Sequence, residues 1–209
     1  MADGAREVRE LWFGRGPLDA ARLARRMAWW FGTGESAEAR SERDRALAAR
    51  LEPLVLEAAQ GKLASWAASP RRGLSLILLL DQLPRNLYRG TPRAFATDRE
   101  ALALALGGIQ SGADAALALP ERIFFYMPLQ HAESHEAQDE SVAAYRRLVE
   151  EADEALRPGL REVLASAEAH RAIIQRFGRF PHRNRILGRA TTPQEQAHLA
   201  GHPEDFGQS

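Results

Sequence analysis

Leu74-Ser75-Leu76-Ile77-Leu78-Leu79-Leu80 leads without a break into Asp81-Gln82-Leu83-Pro84. A short apolar run of this kind is either a buried strand or a buried helix segment. Leucine fills it and Ile77 is its one β-branched residue, so local propensity favours a helix that ends near Pro84. The same bias extends outward, since Ala, Leu, Arg and Glu dominate the chain while Val, Ile and Thr are scarce. The expectation is an all-α fold.

Turn signals fall at Gly14 to Pro17, Gly32-Thr33-Gly34, Ser69-Pro70, Gly90-Thr91-Pro92, Gly107-Gly108, Pro120, Pro158-Gly159, Gly178 to Pro181 and Thr192-Pro193. They divide the chain into about seven to nine helices. No internal repeat of fixed period is found, and the Trp, Gly and Tyr spacing of a typical tetratricopeptide repeat is absent. At 209 residues, one helical domain spanning 1–209 is expected.

Apolar residues make up 45% and charged residues 27%, a balance that excludes intrinsic disorder. Lys+Arg and Asp+Glu are equal at 28 each, so no global field draws the chain to nucleic acid or anionic lipid. Cysteine is absent, which removes disulfides, thiolate nucleophiles and sulfur-ligated metals and leaves His, carboxylates and Arg to do any chemistry. The start, Met-Ala-Asp-Gly-Ala-Arg-Glu-Val, has no export pattern, and no apolar run approaches membrane-spanning length. A cytoplasmic protein is the expectation.

Helical stripes advance by three and four residues, and four of them carry polar residues inward. Leu74, Leu78 and Asp81 share a face, with Arg85 four residues on as a local partner for the carboxylate and Asn86 beside it. Phe95, Asp98, Leu102, Leu106 and Ile109 form a second stripe, in which Asp98 also suits a helix cap. A helix opening near Pro128 would carry His131, His135, Gln138, Val142, Tyr145, Val149, Ala152 and Leu156 on one face. Leu160, Val163, Ala167, His170, Ile174 and Phe177 form the fourth. Buried polar groups need hydrogen-bond partners, so Asp81, Asp98, His131, Gln138 and His170 are expected to meet in one cluster. A lone histidine on such a stripe is ordinarily a satisfied core residue; several together mark a site more often.

Arg176-Phe177-Gly178-Arg179-Phe180-Pro181-His182-Arg183-Asn184-Arg185 is the densest local charge feature, with no acidic residue from Arg171 through Arg189. Three readings compete: a structural hairpin whose arginines pair with the acidic stretch Glu150 to Glu154, an anion-binding loop, and a single-stranded nucleic-acid surface. The last fits least, because the chain has no net basic footprint.

Leu11-Trp12-Phe13-Gly14, Leu80-Asp81-Gln82-Leu83-Pro84-Arg85-Asn86, Tyr88-Arg89-Gly90-Thr91 and Ala94-Phe95-Ala96-Thr97-Asp98 form long motifs. They are followed by Arg122, Phe124, Tyr126, Pro128-Leu129, His131, Glu133, Gln138 and His170, then by Phe177 to Asn184 and Leu187-Gly188-Arg189. Together these resemble the bacterial DUF 924 family, a domain of unknown function, over most of the chain. The resemblance implies a tetratricopeptide-like helical array and supplies no activity. His135 departs from the family pattern and is withdrawn from the cluster.

His131, His170 and Asp81 are therefore the candidate acid–base residues. Arg85, Asn86, Asp98, Arg122, Tyr126, Gln138, Arg179, His182, Arg183 and Asn184 are the candidate ligand-binding residues. A pocket for a small anionic molecule is one reading, and a helical groove for a peptide or protein, with the polar cluster purely structural, is the other. A metal variant built on His131, Glu133, His170 and Asp81 or Asp98 lacks a compact motif such as HExxH, so no metal ligand is assigned. No Gly-x-Ser-x-Gly elbow supports nucleophilic serine chemistry, and nothing specifies a cofactor.

Overall fold

The computed structural model describes residues 3–16, 18–31 and 34–201, and among them there are helices and turns but no strand. Pro17, Gly32 and Thr33 of the expected turns lie outside the described residues. The helices are α1 (Gly4–Phe13), α2 (Ala20–Phe31), α3 (Ala37–Ala59), α4 (Pro70–Ile77), α5 (Leu83–Leu87), α6 (Asp98–Gln110), α7 (Leu119–His131), α8 (His135–Glu151), α9 (Arg157–Phe177) and α10 (Pro193–Gly201). A π turn (Leu78–Gln82) joins α4 to α5 without interruption, so the described chain forms nine rods. None is long and apolar enough to cross a membrane.

α7 is the centre, buried at every position from Arg122 to Gln130, and it touches α4, α6, α8 and α9. A helix enclosed on all sides needs no polar face, which explains Ile123-Phe124-Phe125-Tyr126-Met127. Phe124 gathers α1 and α2 by ring contacts to Trp12, Phe13, Trp30 and Phe31, and the Trp30 indole N–H donates to the Trp12 carbonyl at 2.9 Å. That contact fixes the end of α2 over α7.

Three sequence expectations are corrected. The helix through Leu74 does not end near Pro84. Pro84 has no N–H to give the Leu80 carbonyl four residues back, and the Thr97 hydroxyl donates to that carbonyl instead, so the rod continues to Leu87. The stripe from His131 to Leu156 is not one helix. Pro128 lies inside α7, the chain is extended at Ala132, and Ser134 starts α8 by accepting from the Ala137 N–H at 3.3 Å. Gln138 donates to the carbonyls of Gln130 and Ala132 at 2.7 and 2.9 Å, closing the C-terminus that this break opens.

The third correction concerns α6, whose buried face is Ala101 and Ala105 while Leu106 is exposed. Its small residues admit α7 closely, and Gly107-Gly108 is interior to the helix rather than a turn. A Cβ on Gly108 would stand 2.3 Å from Cζ of Phe125, a ring that is itself buried. Gly108→Ala should therefore destabilise by about 1–2 kcal/mol, overpacking outweighing the better helix propensity of alanine. Urea denaturation should show a lower midpoint with an unchanged slope; a rise in midpoint would refute the close contact.

α9 matches its sequence reading, with Leu160, Val163, Ala167, His170 and Ile174 buried, and Gly178 ends it in the left-handed region at φ +69°. Beyond it the arginine-aromatic segment does pair with carboxylates, though not with Glu150 to Glu154. Arg179 binds Glu195 at 2.7 Å, Arg183 lies 3.4 Å from Asp98, and Arg189 binds Glu133 at 2.7 Å. These pairs fasten α10 to the turn after α9, and the segment between them to α6 and to the connection between α7 and α8.

Candidate functional site

The π turn places Asp81 at the end of α4 with no exposure to solvent. Its Oδ1 lies 2.7 Å from Nδ1 of His131, the last residue of α7, and 3.1 Å from the Arg85 guanidinium; the Gln82 amide donates to Oδ2. Arg85 also donates to the Asp81 carbonyl at 2.8 Å and forks onto both oxygens of Asp98, at 2.8 and 2.9 Å. Arg183 reaches the same Asp98 and lays its guanidinium on the rings of Phe180 and Phe95, 4.4 and 4.8 Å from their centroids.

Burial raises the Asp81 carboxyl, but the attraction of His131 and Arg85 and the hydrogen bonds of His131 and Gln82 override it and hold it below its ordinary value. Burial lowers the His131 imidazole, and Arg85 lowers it further, against the opposing pull of Asp81. At neutral pH the pair is an ionised carboxylate and a neutral ring. A carboxylate can only accept, so the ring proton is assigned to Nδ1 and Nε2 is left as the basic nitrogen. His131 keeps 14% of its side-chain surface exposed where Asp81 keeps none, so it is the member a ligand can touch.

His170 stands 6.4 Å from His131, ring centroid to centroid, and is 4% exposed. Its Nδ1 donates to the Ser166 carbonyl at 2.8 Å, one turn back on α9, which leaves Nε2 as its acceptor. Burial, together with His131, Arg183 and His182, lowers this imidazole to about 3 despite the Ser166 hydrogen bond, so it too is neutral. The Gln130 side-chain amide lies 3.1 Å from the Ser166 hydroxyl and 3.2 Å from the same Nδ1.

Both histidines border a cavity of about 300 Å³. Apolar Trp30, Phe31 and Met127, neutral polar Gln82, Asn86, Gln130 and Ser166, and the guanidiniums of Arg40, Arg43, Arg85 and Arg89 complete its lining. Four guanidiniums and no carboxylate line it among the described residues. The balancing acids stand behind: Arg43 binds Glu35 at 2.7 Å, and Arg89 binds Asp44 at 2.9 Å, with the Asn86 amide on the other oxygen at 3.0 Å.

Of the residues singled out from sequence, Asp81, Arg85, Asp98, His131, His170 and Arg183 meet here, and Asn86 lines the cavity. The others lie elsewhere. Arg122 binds Glu151 at 2.6 Å and the Tyr126 hydroxyl at 3.1 Å, while Tyr126 donates to Asp114, a network along the outer half of α7. Gln138 caps α7. Arg179 and Asn184 are held by Glu195, and half-buried His182 sits against Phe180, 5.5 Å between ring centroids. Sequence reading missed Arg40, Arg43, Arg89, Gln130 and Ser166, although Ser166 and His170 are helical neighbours at four-residue spacing on α9. Among the described residues no group of three or more His, Asp or Glu side chains is arranged to hold a metal ion. Glu133, weighed as a ligand, is engaged by Arg189 and the Phe180 N–H.

The model of a family described as a bacterial protein of unknown function, DUF924, matches residues 8–202. The chain belongs to the DUF924 family. A solved structure is similar to this DUF924 chain, that of ATU0120, a protein of unknown function from Agrobacterium tumefaciens. It is 35% identical, the match covers 88% of this chain and 99% of that one, and the TM-score is 0.69. No curated protein matches the DUF924 chain.

Proposed function

We propose that the DUF924 chain binds a small anionic molecule in the 300 Å³ cavity, with His131, oriented by Asp81, as the acid–base group facing it. The supporting observation is the lining itself, four guanidiniums and two neutral imidazoles with every balancing carboxylate set back from the wall. Arginine forks suit carboxylate and phosphate groups. A neutral imidazole whose Nδ1–H is fixed on a buried carboxylate has the tautomer and basicity required to take a proton from a bound molecule. Trp30, Phe31 and Met127 add apolar surface to the lining for the ligand to rest against.

The test is a thermal-shift comparison of metal-stripped protein with phosphorylated and carboxylated metabolites, divalent metals and short peptides. Binding at about a hundred times Kd adds roughly 2.7 kcal/mol, a rise of several degrees for a chain of this size. A rise with small anions that disappears in Arg40→Ala supports the pocket. A rise with peptides alone would favour the alternative, a tetratricopeptide-like groove for a peptide or protein partner, with the polar cluster as structural support.

Stability alone does not separate the two readings, because His131 is bonded to a carboxylate that has no solvent to turn to. His131→Ala should cost about 1.5–3 kcal/mol in either case, the range for a hydrogen bond to a charged group. The check is a urea denaturation midpoint at pH 7, and an unchanged midpoint would contradict the buried pairing.

A further inference from the structure

We infer that the ligand sits with its anionic group outward, on Arg40 and Arg45, and an uncharged hydroxyl- or carbonyl-bearing end inward against His131. This rests on the small-anion reading of the cavity and adds its orientation and chemical class. A second cavity of about 420 Å³ adjoins the first, and the two share Arg40, Asn86 and Arg89. Ser41, Asp44 and Arg45 of α3 line the outer one.

The arginines differ in what they already hold. Arg85 is forked onto Asp98, Arg43 holds Glu35 and the Trp29 carbonyl, each at 2.7 Å, and Arg89 reaches Asp44 with two nitrogens, at 3.2 and 2.9 Å. An incoming anion at any of these competes with a carboxylate in contact. Arg40 is different: among the described residues its nearest carboxylate, Glu35, is 3.9 Å away and already engaged by Arg43, and its buried Nε has no hydrogen-bond partner. Among the described residues Arg45 makes only a long contact from Nε to the Ser41 carbonyl, at 3.4 Å. Both can take an anion without displacing a carboxylate, and both line the outer cavity. Asp44 does not oppose this, because Arg89 and Asn86 occupy its two oxygens.

The inner cavity has the opposite character. Apart from the paired arginines and Arg40, which both cavities share and the anionic group occupies, its polar groups are neutral: His131, His170, Asn86, Gln82, Gln130 and Ser166. A second charge brought there would be desolvated without an available counter-ion, whereas a hydroxyl or carbonyl would find donors and acceptors. The fitting class is an elongated phosphomonoester or carboxylate with a neutral polar tail.

Calorimetry with inorganic phosphate, glycerol 3-phosphate and glycerate tests this on wild type, Arg45→Ala and His131→Gln. The tailed anions should bind more tightly than phosphate, and the tighter of the two identifies the head group. Arg45→Ala should weaken every probe by about tenfold, the loss of one charge-assisted hydrogen bond. His131→Gln should weaken the tailed probes by about tenfold and leave inorganic phosphate within roughly twofold. Phosphate binding that survives Arg45→Ala and is lost in His131→Gln would overturn the orientation while leaving the cavity reading intact; no binding of any probe to wild type would overturn both.

Discussion

Between pH 7 and pH 4.5 the folded state is expected to lose roughly 2.5 kcal/mol through His170 alone. The ring is enclosed by Ser166 of its own helix, Gln130 and His131 of α7, and Phe180, His182 and Arg183 of the turn that follows. Burial, then His131, Arg183 and His182, holds the imidazole at about 3 in the folded chain, while the unfolded chain titrates near 6.5. The unfolded state therefore takes up the proton first. The contribution is complete above pH 6.5 and is lost progressively as pH falls toward 3, at about 1.4 kcal/mol per unit. His131, also lowered, acts in the same direction. Glu195 enters later: Arg179, with the Thr192 bonds, holds it at about 2, so its share is lost only below the ordinary glutamate value of about 4.3. Urea unfolding at half-unit steps of pH should show the midpoint falling from pH 6.5 downward, and His170→Asn should flatten that slope. A midpoint that is level from pH 7 to 5 would refute the neutral buried ring.

His170 was legible in the sequence because α9 is a regular amphipathic helix with one polar interruption, and nothing in tertiary packing altered that register. α6 was not legible in the same way. Leu102 and Leu106 alternate with Ala101 and Ala105, so a rule favouring large residues inside selects the wrong face. The close approach of Phe125 to Gly108 decides it, and that contact joins two helices. Pro128 misled for a related reason: proline suits a first turn, but here it lies one turn before a helix end that Gln138 caps from the next helix. The cluster of Asp81, Asp98, His131 and His170 was anticipated because each interrupts an apolar stripe or stands in a distinctive motif. The arginine wall was not, since Arg40 and Arg43 look like solvated residues of a charged helix until Trp29, Glu35 and Asp44 are seen to enclose them.

Replacing Arg85 with methionine is expected to destabilise the protein by about 3–5 kcal/mol, the range for removing one partner of a buried ion pair. Methionine keeps most of the apolar stem, so the loss reports the charge rather than a cavity. A buried salt bridge is weak evidence of net stability, because desolvation opposes the attraction. Removing one side is another matter. Asp81, with no solvent exposure, would keep the His131 and Gln82 bonds but lose its cation, and its own backbone carbonyl would lose the 2.8 Å donor from Arg85 at the π turn. Asp98 would fall back on Arg183 at 3.4 Å. The melting temperature should drop by on the order of 10 °C for a chain of this length. The double variant Arg85→Met/Asp81→Asn separates the causes, since it removes both charges and retains an amide that His131 can bond. If ionic pairing holds the π turn, the double variant should be more stable than the sum of the single losses by at least about 1 kcal/mol. Strict additivity would mean that Arg85 acts through packing and its carbonyl bond, and the Asp81 carboxylate would then depend on His131 rather than on the guanidinium.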